Sequence, residues 1–309
     1  MNNSVADILK NPFILGYLVL YIAFLALLHS LEAFSIVEPI FVFLVVGVVF
    51  SALAWWATKR VTPLSFSVKQ PASECILLAF CLLIVTVYIT WGLNTIEITI
   101  RSEPLKSVTI LTTKLIVFVL VPLLLFRGVW KYTSRDLVNI STGWRKHLRV
   151  ALWMSLVLIL FQVALGRGPS EIRQSGLPWW SLTLGIPFAY LWLILETGLV
   201  EEFFFRALIQ SRLAALLKSE TAGVVLMSVL FGLAHAPGMY LRTTKTLEVL
   251  GPSPSLLMSV GYSIVVTSVA GFFLGVLWVR TKNLAILILV HAAGDLVPNV
   301  VSILKAWIR

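Results

Sequence analysis

The feature that most constrains the fold of this chain is a series of apolar runs, each about as long as the roughly 20 residues that an α-helix needs to cross a bilayer. Hydrophobic residues make up 59% of the sequence and charged residues only 12%, whereas a soluble domain is typically about 45–50% apolar and about 25% charged. This composition excludes a disordered chain, a coiled coil, a fibrous repeat and a typical cytosolic enzyme. The runs lie near residues 13–29, 36–57, 75–95, 108–127, 148–165, 180–210, 222–236, 256–279 and 284–307.

These runs predict an all-α fold, namely a polytopic transmembrane helix bundle with eight or nine helices. The number depends on the run at 222–236, which is short and ends at His235-Ala236-Pro237-Gly238. If the helix stops at this proline, the run does not cross the membrane fully and eight helices remain. If the helix continues, the bundle has nine.

The distribution of charge predicts how the chain is oriented. Lys and Arg number 24 against 14 Asp and Glu, a formal net charge of +10. The basic residues lie between the apolar runs and form no single patch, so we interpret them as loops that meet anionic lipid and expect no nucleic-acid partner. Lys59, Arg60 and Lys69 follow the second run, and further basic residues occupy 127–149. In the loop after the first run, in contrast, the charged residue is Glu32 and no basic residue occurs. The positive-inside rule then predicts a cytoplasmic N-terminus, in a plasma (inner) membrane.

The basic loop at 127–149 also divides the chain, and we predict N-terminal accessory helices at 1–146 and a catalytic transmembrane domain at 147–309. In the first part, we single out two ionisable residues within the apolar runs, His29 and Lys114, which we expect near span ends, where snorkelling to the interface costs little. Ionisable side chains inside a bilayer are expensive and by default mark a functional site. In the second part of the chain, the ionisable residues that we single out within the apolar runs are Glu196, Glu201, Glu202, Arg206, His235, His291 and Asp295.

The first motif of the C-terminal part is Glu201-Glu202-Phe203-Phe204-Phe205-Arg206. Glu202 and Arg206 are one helical turn apart, a spacing that predicts an ion pair. Glu201 points about 100° away from Glu202 on a helix, and the residue one turn further on is a phenylalanine. Glu201 is therefore a candidate general base. The alternatives are that Glu202 and Arg206 form only a structural pair, and that Glu196 is structural or lines a lumen.

Two histidine motifs follow the glutamate motif. The run Phe231-Gly232-Leu233-Ala234-His235 ends in a histidine, and His291 is followed one turn later by Asp295. His291 and Asp295 share one helix face, and the small residues between them allow another helix to approach closely. Each motif has a structural alternative: a hydrogen-bonded His235 at a helix end, or a structural His291–Asp295 pair. Three apolar helices that each carry Glu or His together favour a catalytic site.

Several other hydrolytic sites do not fit the sequence. The His-Glu-x-x-His signature of a zinc protease does not occur. An aspartyl site needs a second intramembrane aspartate besides Asp295, and the other two, Asp7 and Asp136, lie in polar segments. No serine occupies a convincing nucleophile turn, although counting alone leaves a serine–histidine dyad open. Cys75 and Cys81 cannot make a disulfide framework or a four-ligand zinc site, and we interpret them as structural thiols.

Glu-Glu-x-x-x-Arg, Phe-x-x-x-His and His-x-x-x-Asp, in this order on successive hydrophobic helices, resemble the motifs of the CAAX protease and bacteriocin-processing (CPBP, or Abi) family. That family includes the type II CAAX prenyl endopeptidases. The resemblance covers roughly residues 180–305, and the first four or five helices lie outside it.

The resemblance implies an intramembrane endopeptidase with its site inside a membrane-embedded cavity. Glu201 and His235 would activate the attacking water. His291 and Asp295 would stabilise the oxyanion, and Glu202 with Arg206 would belong to the scaffold of the site.

The last motif departs from the family at one position. In the prenyl endopeptidases this position is typically Asn, whose amide donates a hydrogen bond, whereas an ionised Asp295 cannot donate. Asp295 is therefore protonated, or it orients His291 by accepting its ring proton, or the site holds a divalent metal such as zinc. Glu201, His235, His291 and Asp295 would be an acceptable ligand set for that ion. We favour hydrolysis without a metal or other cofactor.

The predicted function is an intramembrane endopeptidase that cuts a peptide or a membrane-associated protein, lipidated or not. Its partners are then a membrane-anchored or peptide substrate and the lipid bilayer. The alternatives are a transporter or proton relay, and an accessory or immunity-type binding protein with the same fold. The order and spacing of the three motifs favour the protease. The polar segment at 237–255 is expected to lie near the mouth of the cavity.

Overall fold

The computed structural model of the protein describes residues 10–137, 144–241, 250–251 and 253–308. Within these residues the secondary structure is helical and contains no strand. Nine of the helices there are long and apolar enough to cross a membrane. The predicted all-α polytopic bundle is therefore confirmed, with the larger of the two expected numbers of spans. We number these helices α1 (Pro12–Glu32), α2 (Val37–Ala57), α3 (Pro71–Thr99), α4 (Glu103–Trp130), α5 (Arg145–Leu165), α6 (Trp179–Leu216), α7 (Glu220–Leu241), α8 (Leu256–Thr281) and α9 (Leu284–Trp307).

Helix α7 decides the number of spans. It contains Pro237 in its interior and continues to Leu241, giving 22 residues, or about 33 Å at 1.5 Å per residue. This length matches a hydrocarbon core of about 30 Å. The helix continues through Pro237, because a proline inside a membrane helix can be accommodated where neighbouring groups satisfy the backbone that it frees. Much of the predicted mouth loop at 237–255, namely residues 242–249 and 252, lies outside the described residues.

The chain forms two compact units, each described here by itself. Each unit combines segments from both sides of residue 146, and the predicted division into accessory helices at 1–146 and a catalytic domain at 147–309 stays a prediction. The first unit contains Met1–Trp56, Val68–Trp91 and Leu208–Val279, and the second contains Ala57–Ser67, Gly92–Ala207 and Arg280–Arg309.

The first unit is held together by apolar packing between α1 and α8. Tyr21 and Leu28 of α1 pack with Tyr262 and Val265 of α8 in one buried cluster. The helices approach closely because Gly261 has no side chain: a β-carbon there would lie 2.7 Å from a methyl group of Leu28. Small residues are the usual means by which membrane helices pack without a hydrophobic driving force.

A buried ion pair fixes the start of α3 in the same unit. Nε of Arg212 lies 2.8 Å from Oε2 of Glu74, and both side chains are fully buried. The other oxygen of Glu74 accepts hydrogen bonds from the backbone N–H groups of Lys69 and Gln70. The carboxylate thus satisfies N–H groups at the beginning of a helix as well as a guanidinium.

The second unit is built around α9, which packs against α5 and α6. Ala189 and Leu193 of α6 form one buried cluster with Ala292, Leu296 and Val300 of α9. These α9 residues follow His291 directly or lie one to two turns beyond it. The apolar packing of the second unit therefore places the third motif beside the helix that carries the first.

Candidate active site

Helix α6, which carries the glutamate motif, is not a regular α-helix. It is α-helical over Trp179–Leu193 and π-helical over Ile194–Leu199 and again over Glu202–Gln210. Glu201 lies between the two π-helical stretches. Such stretches are rare and are often found at functional sites. Because a π-helical hydrogen bond joins residues i and i+5, the turn is wider than in an α-helix and the side chains around Glu201 are displaced from α-helical positions.

Gly198 brings α6 close to α9. A β-carbon at Gly198 would lie 2.7 Å from the carbonyl oxygen of Ile288 and 3.1 Å from its side chain. The two backbones can therefore meet at this point only because residue 198 is a glycine. Glu201 lies three residues after Gly198, and His291 lies three residues after Ile288. The crossing thus joins the first and third motifs, which are far apart in the sequence.

His291 is the centre of the resulting cluster. Its Nδ1 lies 2.6 Å from Oε1 of Glu202, and since an ionised carboxylate only accepts, Nδ1 carries the proton and donates it. Its Nε2 lies 3.5 Å from Oδ2 of Asp295 and 3.9 Å from Oε2 of Glu201. The carboxylates of three predicted site residues therefore surround the imidazole ring of a fourth, His291.

The predicted ion pair between Glu202 and Arg206 is present. Nη1 of Arg206 lies 3.2 Å from Oε1 of Glu202, and neither side chain is exposed. The same carboxylate oxygen thus faces the guanidinium on one side and the His291 ring on the other. Sequence reasoning placed Glu202 in the scaffold but missed its contact with His291, since no local pattern relates two residues 89 positions apart.

The contact with Glu202 bears on the role of Asp295. The sequence left open whether Asp295 orients His291 by accepting its ring proton. In the structure Glu202 accepts from Nδ1, while Asp295 lies on the Nε2 side at 3.5 Å. That separation exceeds the usual N–H···O range of about 2.7–3.2 Å. Glu202 is therefore the residue that orients the ring.

Exposure separates the cluster into an inner and an outer part. The side chains of Glu202 and Arg206 are fully buried, whereas those of Glu201 and Asp295 are 17% and 33% exposed. The ring of His291 bridges the two parts, with Nδ1 turned inward and Nε2 turned toward the exposed carboxylates. A water molecule or a peptide carbonyl can reach the outer part, where a proton acceptor and a ring nitrogen lie next to each other.

His235 lies in the first unit, on α7. Its Nδ1 is 2.7 Å from the carbonyl oxygen of Phe231, and because a carbonyl only accepts, Nδ1 carries the proton in this bond. In the neutral ring the lone pair is then on Nε2, the tautomer that suits a base. Phe231 is itself fixed by close packing, since a β-carbon at Gly271 of α8 would lie 3.1 Å from its ring. The partnership of His235 with Glu201 stays a prediction from the motifs.

Lys114 and Glu196 form a polar contact that the sequence did not predict. Nζ of Lys114 lies 3.0 Å from Oε1 of Glu196, and Nε1 of Trp192 donates a hydrogen bond to Oε2 of the same carboxylate. Lys114 lies eleven residues after the first residue of α4, and the expectation that it snorkels from a span end stays a prediction. His29, in contrast, does lie in the last turn of α1.

The arrangement of ligand side chains among the described residues bears on metal binding. Among them, no group of three or more His, Cys, Asp or Glu side chains is arranged to hold one. The hydrogen bond between Nδ1 of His291 and Glu202 does not decide the question, because metal-bound histidines commonly donate their other ring N–H to a carboxylate. The alternative in which Glu201, His235, His291 and Asp295 bind zinc stays a prediction, and no chemical step is derived through a metal. Cys75 and Cys81 are free thiols.

Comparison with known proteins identifies a family for the C-terminal part of the chain. Residues 182–297 match the family described as type II CAAX prenyl endopeptidase Rce1-like. No curated protein and no solved structure matches the chain. The match covers fewer than half of the residues, and it includes all three motifs together with Gly198 and Ile288. The resemblance drawn from the motifs is therefore confirmed: residues 182–297 of this multi-pass membrane protein are similar to the type II CAAX prenyl endopeptidases.

Proposed function

We propose that the protein is an intramembrane endopeptidase that hydrolyses a peptide bond in a membrane-anchored protein or a peptide, with lipidated substrates included, and that it does so without a metal. The observation that carries the proposal is the cluster of Glu201, Glu202, Asp295 and His291 where α6 crosses α9. A family of prenyl endopeptidases matches the segment in which this cluster lies, and this match favours proteolysis over transport or binding.

In the proposed reaction Glu201 is the general base. Its carboxylate is partly exposed and takes a proton from a water molecule as the water oxygen bonds to the scissile carbonyl carbon. The same proton then passes from Glu201 to the leaving amine as the carbon–nitrogen bond breaks. His235, whose Nε2 carries the lone pair in the neutral ring, assists in orienting or deprotonating the water, as the resemblance implies.

His291 is the proposed oxyanion donor. Nδ1 donates to Glu202, and Nε2 faces the carboxylates of Asp295 and Glu201 at 3.5 and 3.9 Å. Since neighbouring negative charge favours a protonated imidazole, we infer that both ring nitrogens carry a proton. Nε2–H would move from the neighbourhood of Asp295 to the developing oxyanion, while Glu202 holds the ring in place. An oxyanion donor of this kind contributes about 10²–10³-fold to turnover in other hydrolases.

The cellular placement is also a proposal. The basic loops after the second and fourth apolar runs favour a cytoplasmic N-terminus, and we propose a plasma (inner) membrane. The substrate is then a membrane-associated protein or peptide, and nucleic acid is not a partner.

The test is a cleavage assay in proteoliposomes with three peptide substrates: a prenylated peptide with a CAAX-type C-terminus, the same peptide without the prenyl group, and a peptide anchored by a transmembrane helix. We expect cleavage of at least one by the wild type and loss of cleavage in Glu201→Gln. The matched control is Glu103→Gln, which removes a largely exposed carboxylate of α4 and should leave turnover unchanged. Equal turnover by wild type and Glu201→Gln would refute the proposal, and so would substrate transport without cleavage.

A further inference from the structure

Helix α4 lies outside the family-matched segment but contacts both helices of the candidate site. Its first part, Glu103–Lys114, packs against the π-helical stretch Ile194–Leu199 of α6 and against α9. The comparisons assign nothing to this helix, and the sequence placed it among the accessory helices. Its contacts within the second unit suggest a closer connection with the site.

The centre of this contact is the ion pair between Lys114 and Glu196. The two side chains are 18% and 22% exposed, and their charged atoms are 3.0 Å apart. Both oxygens of Glu196 are engaged, one by Lys114 and the other by the indole N–H of Trp192. Ionisable residues within membrane spans are costly and usually functional, so a lysine and a glutamate that meet between two spans need an explanation beyond packing.

The position of Glu196 provides the link to the catalytic residues. Glu196 lies in the π-helical stretch Ile194–Leu199, which ends two residues before Glu201. It precedes Glu201 by five positions, the spacing of a π-helical hydrogen bond, so the two residues lie nearer to one face than they would in an α-helix. Gly198, where α6 crosses α9, lies in the same stretch. A displacement of Glu196 therefore moves the segment of α6 that sets the position of Glu201 and Glu202.

A second contact from α4 reaches the other side of the two glutamates. Phe118, one turn after Lys114, packs its ring edge-on against Phe204 and Phe205, with ring centroids 5.5 and 6.4 Å apart. Glu201 and Glu202 thus lie between two points at which α4 holds α6. The ionic contact precedes them, and the aromatic contact follows them.

We propose that Lys114, acting through Glu196, is a positioning residue of the active site, so that α4 is a working part of the catalytic unit although it lies outside the family-matched segment. The inference rests on the proposed function for its kinetic consequence, but the geometric consequence can be measured without a substrate. Loss of the ion pair releases the π-helical stretch of α6, and the contact between Glu202 and His291 loosens as a result.

The substrate-free experiment uses the histidines as probes. The chain has four histidines, so ¹⁵N-histidine labelling gives few ring signals, which His→Gln variants assign. We expect Lys114→Met to shift or broaden the His291 ring signals. The matched control is Lys106→Met, which removes a lysine from the same helix that pairs with Glu103 at 2.6 Å, and it should leave the His291 signals in place. Unchanged His291 signals in Lys114→Met would overturn the proposal.

The kinetic experiment separates positioning from general stability. At equal amounts of folded protein we expect Lys114→Met to lower kcat by about 10–100-fold, the effect of a misplacement of about 1 Å or less, with little change in KM. Lys114→Arg should recover most of that loss of kcat. The charge-swapped double variant Lys114→Glu/Glu196→Lys should have a higher kcat than either Lys114→Glu or Glu196→Lys alone. A kcat equal to that of Lys106→Met would overturn the proposal.

The two experiments distinguish failure of this proposal from failure of the proposed function. If the wild type cleaves no substrate, the His291 signals alone decide the role of Lys114. If the wild type cleaves and Lys114→Met leaves both kcat and the ring signals intact, the endopeptidase stands and the positioning role is refuted. If Lys114→Met does not fold, the nearly isosteric Glu196→Gln takes its place in both experiments and is judged by the same outcomes.

Discussion

Gly198 offers the sharpest test of the candidate site because it controls how closely α6 approaches α9. In Gly198→Ala the new β-carbon would lie 2.7 Å from the carbonyl oxygen of Ile288. An ordinary carbon–oxygen contact is about 3.3 Å or longer, so the helices must separate by about 0.6 Å. The Nδ1–Oε1 contact between His291 and Glu202, now 2.6 Å, would lengthen to about 3.2 Å, the end of the hydrogen-bond range.

This displacement predicts a loss of turnover together with a small loss of stability. A misplacement of about 1 Å can cost about 100-fold in rate, so about 0.6 Å should cost roughly tenfold. Overpacking of a well-packed contact costs about 1–3 kcal/mol. Replacing a helical glycine by alanine returns up to about 1 kcal/mol, which leaves a net destabilisation of about 0–2 kcal/mol.

The measurement is kcat per folded molecule in proteoliposomes, with thermal unfolding followed in parallel. Gly128→Ala is the matched control, because it makes the same change in α4, in the same unit, where a new β-carbon has nothing within 4 Å. It should keep the wild-type rate and gain a little stability. If Gly198→Ala turns over as fast as Gly128→Ala, the distance between α6 and α9 does not set the site.

Four further expectations follow from the buried charges, the donor geometry and the loops. Glu202→Gln removes the carboxylate shared by Arg206 and His291 and should lower the free energy of unfolding by about 3–5 kcal/mol, which a large drop in the thermal midpoint would show. Glu201→Gln should instead lose activity with little loss of stability. Equal thermal midpoints for the two variants would contradict this expectation. Glu74→Gln removes the carboxylate that faces Arg212 and should destabilise by a similar amount, while the folded fraction keeps its kcat. A chelator should leave turnover unchanged, and loss of turnover that zinc restores would refute the metal-free mechanism. In a variant whose two native cysteines are serines, a cysteine placed near the N-terminus should be labelled by an impermeant reagent only in inside-out vesicles.

The features predicted correctly from sequence are those that short-range patterns determine. The nine apolar runs correspond to nine helices of the described residues that are long and apolar enough to cross a membrane, and the spacing of Glu202 and Arg206 correctly predicted an ion pair within one helix turn. The end of α7 was missed for a local reason as well. Pro237 weakens a helix in water, but within a membrane helix the freed backbone groups can be satisfied by other contacts and the helix continues.

The features that sequence could not provide depend on contacts between distant residues. Glu202 meets His291 across 89 positions and Lys114 meets Glu196 across 82. The order of motifs indicates that such residues belong together, but it does not indicate which carboxylate faces which nitrogen. The π-helical stretches of α6 have no pattern in the sequence, and they change which side chains share a face.

The two adjacent glutamates show how one short motif serves both structure and chemistry. Neighbouring residues on a helix point about 100° apart, so Glu201 and Glu202 cannot occupy the same environment. Glu202 is turned inward, where Arg206 offsets its charge and its carboxylate holds the ring of His291. Glu201 is turned to the outer part of the cluster and is partly exposed, as a base that must exchange protons with water requires. The buried Glu202–Arg206 pair therefore fixes the ring of His291, and Glu201 acts as the base on the partly exposed side of the cluster. This arrangement explains why the motif needs two carboxylates where the chemistry uses one.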